Sequence, residues 1–110
     1  MFVDQFQDTV ILSQANDPYA LFLSNFIKDY QKWNSFHIII NLEGIHKLQN
    51  EELLELLPFV EQQFERQKSF VIVSDTITYE DAPETLIIVP TIQEAKDVIE
   101  MENIERDLGL

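Results

Sequence analysis

A chain of 110 residues with 45% hydrophobic and 25% charged residues has the profile of one ordinary globular domain rather than of a disordered segment. It has no cysteine, which excludes disulfides, thiolate nucleophiles and cysteine-bearing zinc sites. Its formal charge of −13, from 20 acids against 7 bases, repels phosphate backbones and anionic lipid, so neither nucleic acid nor a membrane is an expected partner.

The N-terminal stretch lacks the basic start, apolar run and small-residue cleavage site of an export signal. The longest apolar run, Ile38 to Ile40 flanked by Phe36 and Leu42, is far too short to span a bilayer. A cytoplasmic location is the expectation.

Val3 to Gln14 mixes apolar and polar residues around Val10, Ile11 and Leu12, which predicts one or two strands with a turn near Gln7–Asp8. Asp17–Pro18 then starts a helix, the carboxylate as cap and proline at the first helical position. Tyr19, Phe22, Leu23, Phe26, Ile27, Tyr30 and Trp33 recur at helical spacing as one wide core face. Asn34–Ser35 ends it. His37 to Leu42 follows as consecutive apolar positions, the mark of a strand covered on both faces.

A second helix starts near Glu51 and Glu52, whose charges suit its positive end, and carries Leu53, Leu54, Leu56, Leu57, Val60 and Phe64. Pro58 inside the pattern predicts a kink or a stop and restart. Ser69 to Val73 is the next strand, Asp75 to Thr85 a loop or one helical turn, and Leu86 to Val89 the last strand. Thr91 and Glu94 fit a capping box for the final helix, with Ile92, Ala95, Val98 and Ile99 facing inward. Beyond Glu100 the pattern weakens, and Gly109 ends the chain's helical stretch. Strands alternating with helices predict an α/β fold with a mostly parallel sheet.

Within this frame, Asn41-Leu42-Glu43-Gly44-Ile45 ends a buried strand, and Gln49-Asn50-Glu51-Glu52-Leu53 opens a helix with no gap in the spacing. Val89-Pro90-Thr91-Ile92-Gln93-Glu94-Ala95 closes the last strand and opens the last helix. In these stretches the chain resembles a STAS domain, the family of bacterial anti-sigma-factor antagonists and transporter tails. The resemblance implies a single domain over residues 1–110, with a core at about 9–100 and a tail at 101–110. Its sheet would be mostly parallel or mixed, with four to five strands and three to four helices. It further implies a non-catalytic, regulatory protein-binding module without a cofactor. A kinase-like or other regulatory protein would dock at Glu43, His46, Gln49, Asn50, Glu51 and Glu52.

One departure bears on regulation. Glu51 stands where the family carries a phosphorylatable serine, Asn50 precedes it, and no Ser, Thr or Tyr lies between Ser35 and Ser69. The resemblance therefore implies binding without the phospho-switch, with Glu51 either a permanent weak substitute for the phosphate or an ordinary first-turn acid.

The search for chemistry gives little. The histidines are His37, at the start of a buried strand, and His46, in the strand–helix loop, and no G-x-S-x-G elbow accompanies them. Two histidines cannot build a His-x-His-x-Asp-His metal site. Gly44 and Gly109 are too few for a phosphate-cradling loop. Asp75, Glu80, Asp81 and Glu84 lack the order of a calcium loop. From Asp75 to Asp107 ten acids face two bases, an acidic face suited to a basic partner. The alternatives are a small-ligand or enzymatic α/β domain with a pocket at the strand ends, or a structural homodimer formed through exposed Phe2, Phe6, Met101, Ile104 and Leu108.

Overall fold

The computed structural model describes residues 1–14, 18–45, 48, 50–77 and 85–109. Its strands are β1 (Phe2–Phe6), β2 (Thr9–Ser13), β3 (His37–Asn41), β4 (Phe70–Val73) and β5 (Ile87–Val89). They form one five-stranded mixed sheet in the order β1-β2-β3-β4-β5. β1 and β2 pair antiparallel, and β2 to β5 run parallel. The hairpin turns at Gln7–Asp8, with Gln7 in the left-handed region.

The helices are α1 (Tyr19–Trp33), α2 (Asn50–Leu54), α3 (Leu57–Glu65) and α4 (Ile92–Asp107). Because side chains alternate along a strand, the sheet has two apolar faces. One carries Val10, Leu12, Ile38, Ile40, Phe70, Ile72 and Ile88 and is covered by α1, α2 and α3. The other carries Ile11, Ile39, Val71 and Val73 and is covered by Ala95 and Ile99 of α4. Both faces of β3 are buried, as its unbroken apolar run requires. The crossover helices α1 and the α2–α3 pair lie on one side, as two successive crossovers of the same hand require, leaving the other side for α4.

Pro58 acts by restarting the helix. α2 stops at Leu54, and Pro58 takes its place in the first turn of α3, where its missing N–H costs nothing. Thr91 caps α4, its hydroxyl accepting the Glu94 N–H at 3.1 Å.

Three expectations shift. Pro18 sits just ahead of α1 rather than within it, its carbonyl accepting from the N–H groups of Leu21 and Phe22; Asp17 lies outside the described residues. Ile27 is on the flank of α1 and half exposed, and Phe64 is 81% exposed. Residues 101–107, where the apolar pattern weakens, belong to α4, which ends next to Gly109 as expected, and Glu102 and Arg106 there bond Ser69 just ahead of β4. Of the 75–85 segment, 78–84 lie outside the described residues. No helix among the described residues is long and apolar enough to cross a membrane.

Candidate functional site

The loop leaving β3 is shaped by Asn41. Its amide donates to the Ser13 hydroxyl at 3.2 Å, and its side-chain oxygen accepts the Glu43 N–H at 3.1 Å. A turn follows from Leu42 to Ile45, closed by the Ile45 N–H on the Leu42 carbonyl at 3.2 Å. Gly44 sits at φ 84° in its third position, the conformation that favours glycine there. Thr76 donates to the Ile45 carbonyl from the end of β4 at 3.0 Å. Leu42, Leu53 and Leu56 are fully buried and pin both ends of the segment to the core.

This bracing turns Glu43 outward at the carboxyl end of β3. Glu51 is exposed in the first turn of α2, and Glu52 is half-buried beside it. The Glu52 carbonyl accepts the Tyr19 hydroxyl at 3.1 Å, tying α2 to α1. Burial, reinforced by Glu55 and then Glu52, pushes the Tyr19 phenol above its ordinary range, so it stays a neutral donor. His46 and Gln49 lie outside the described residues, as does the side chain of Asn50, whose backbone opens α2. Asp75 is exposed, and Glu80, Asp81 and Glu84 lie outside the described residues. Among the described residues no group of three or more His, Asp or Glu is placed to hold a metal.

A polar network at the opposite, amino-terminal end of the sheet was not foreseen. His37 is 2% exposed, and its Nδ1 accepts the Ser69 N–H at 2.9 Å. Its Nε2 stands 3.5 Å from the Asp8 carboxylate. The Ser69 hydroxyl donates to Glu102 at 2.5 Å and accepts from Arg106 at 2.9 Å. Serine, histidine and aspartate thus meet, but the wiring is wrong for a nucleophile. His37 takes the serine's backbone N–H, and the hydroxyl proton is committed to a carboxylate. No sequence pattern marks these contacts, because Ser69 lies more than thirty positions from both Glu102 and Arg106.

Burial holds the His37 pKa below its ordinary value, with Lys68 and Arg106 adding to the effect while Asp8 and Glu102 oppose it. The unfolded chain therefore takes up this proton first as pH falls. The His37 contribution to stability is complete above the unfolded value of 6.5 and is lost as pH drops below it. Urea melts between about pH 7 and pH 5 should show the parent losing more stability than His37→Asn, which keeps an acceptor but cannot titrate. Parallel pH profiles would refute this role.

A 380 Å³ groove runs between α1 and α2, floored by Tyr19, Leu23 and Ile27 with Glu52 and Glu55 at its lip. A second, of 580 Å³, separates the β1–β2 hairpin from α4. Compared with known proteins, the chain matches no family model and no curated protein.

Proposed function

We propose that this protein is a non-catalytic, cytoplasmic interaction module of STAS type, resembling an anti-sigma-factor antagonist that works without serine phosphorylation. The observation that carries the reading is the braced loop after β3. Asn41 bonds both Ser13 and the Glu43 N–H, and buried Leu42 and Leu53 fix the segment's ends. The turn from Leu42 to Ile45, held this firmly, presents Glu43 with little entropy left to lose on binding, and Glu51 stands exposed in the first turn of α2. The mixed α/β sheet supports the resemblance at Asn41–Leu53. A kinase-like or other regulatory protein is the partner class, meeting Glu43, His46, Gln49, Asn50, Glu51 and Glu52.

Glu51 carries a permanent charge where the family's switch would place a phosphate, so binding here is constitutive. Affinity capture from native lysate should recover a partner with the parent chain. Glu51→Lys should reduce that recovery about tenfold or more, since it sets like charges against each other at the interface with a basic partner, which costs up to several kcal/mol. Glu51 is solvent-exposed, so the variant keeps the fold. Equal recovery with both chains would remove this surface from consideration.

A further inference from the structure

The two edges of the sheet are not alike. β5 is a three-residue strand followed at once by Pro90, both of which discourage pairing. β1 has five residues, all exposed, without lysine, proline or bulge to protect it.

The hydrogen-bond pattern identifies which groups on β1 face outward. In the β2–β3 ladder the His37 N–H donates to the Asp8 carbonyl, and the Gln14 N–H donates to the Asn41 carbonyl. Even-numbered residues there aim their backbone groups at β3, so Thr9, Ile11 and Ser13 aim theirs at β1. Their antiparallel partners are Phe6, Asp4 and Phe2. The N–H and C=O groups of Val3 and Gln5 therefore point away from the sheet, two rungs of a ladder left open among the described residues.

The side chains around those rungs define what fits. Phe2, Asp4 and Phe6 share the face of Ile11, the side covered by α4. Phe2 and Phe6 are each about half exposed or more. The groove beside Phe6 is lined by Asp8, Asp97 and Glu100, and its one base, Lys96, lies over the Phe6 ring at 4.2 Å. A second copy of the chain pairing along the whole strand would set Asp4 directly against Asp4, and each chain carries −13. Like charges directly opposed across strands are destabilising, so the second copy is the wrong occupant.

We propose that β1 is a docking edge that takes an extended basic segment of a partner protein as a sixth strand, with a lysine or arginine opposite Asp4 and apolar side chains beside Phe2 and Phe6. Backbone pairing at Val3 and Gln5 supplies the binding, and the alternate side chains supply the selectivity. This surface is separate from the loop after β3 and stands or falls independently of it.

The test is an amide NMR titration of the ¹⁵N-labelled protein with the end-capped peptide Thr-Phe-Thr-Lys-Thr-Phe-Thr. The amide protons of Val3 and Gln5 should move downfield and gain protection from exchange. Those of Phe2, Asp4 and Phe6, already bonded to β2, should move far less. Asp4→Lys should weaken binding about tenfold, because one cross-strand attraction becomes a repulsion. The same peptide N-methylated on the amides that face β1 should not bind, a control that requires no change in the protein. Shifts without this alternation, or no shifts at millimolar peptide, would overturn the proposal. So would light scattering that finds the protein alone to be a dimer with Val3 and Gln5 already protected.

Discussion

Replacing Phe26 with alanine is expected to lower stability by about 3–5 kcal/mol, the range for deleting a fully buried phenylalanine. Phe26 has no exposed surface and sits at the centre of the aromatic cluster that joins α1 to α3 and β4. Its ring meets Phe59 edge-on at 5.1 Å, Tyr30 at 5.8 Å and Phe70 at 6.1 Å. Tyr30 and Phe59 close the triangle at 4.8 Å. Three helices and four strands converge on this face, so the space left by the ring cannot be refilled by moving one neighbour. A domain of this size is typically stable by about 5–15 kcal/mol, and the loss would consume a large share of that. Urea denaturation measures it, with Phe64→Ala as the internal comparison. Phe64 was grouped with the core residues of its helix, but it faces solvent, and its removal should cost no more than about 0.5 kcal/mol. Equal losses for the two variants would mean that the core is not centred where Phe26 lies.

The same two residues show how far residue patterning reaches. Phe26 belongs to a stripe that repeats at helical spacing for fifteen residues, long enough to fix a buried face. Phe64 lies near the end of a nine-residue helix restarted by Pro58, where the buried position falls to Gln63 and Phe64 is left facing solvent. The doubly covered β3 and the hairpin turn follow from local chemistry and were read correctly; at Pro58 a kink and a restart were both open, and the structure has the restart. The end of α4 at Gly109 was legible too, but not what holds the last turns of this helix. Its outward residues Met101, Ile104 and Leu108 are apolar, which blurs the stripe just where Glu102 and Arg106 begin to bond Ser69. Those bonds join residues more than thirty positions apart, and no periodicity announces them.

The candidate site divides in a similar way. Asn41 and Gly44 were visible as a strand end and a turn, because a short amide and a glycine have strong local preferences. That Asn41 also reaches Ser13 depends on β2 lying beside β3 in register, a fact of topology. The docking edge on β1 was harder still. The apolar residues Phe2 and Phe6 could be noted as exposed candidates, but the outward rungs at Val3 and Gln5 emerge only once the ladder on the far side of β2 is known.

Gln63 presents the second large effect. It falls at helical spacing after Leu56 and Val60, a polar residue on the buried face of α3, and it is completely buried. Its side-chain oxygen accepts the Tyr30 hydroxyl at 2.7 Å, and its amide donates to the Phe36 carbonyl at 2.8 Å. One side chain thereby ties α3 to the end of α1 and to the entry of β3. Burial pushes the Tyr30 phenol above its ordinary value, with Arg66 pulling it part of the way back, so the hydroxyl remains a donor that needs an acceptor. Gln63→Leu keeps the volume but strands both the hydroxyl and the carbonyl, at about 1–3 kcal/mol for each buried orphan. A loss of about 2–4 kcal/mol is expected. The decisive measurement is a double-mutant cycle with Tyr30→Phe. In the parent, Tyr30→Phe should destabilise, since it leaves the Gln63 oxygen unmet. In the Gln63→Leu background the same change should be neutral or restore about 1 kcal/mol, because it removes a hydroxyl that already has no acceptor. If the two substitutions simply add, the Tyr30–Gln63 bond does not hold α1 against α3, and the fixed position of the β3 entry must come from apolar packing alone.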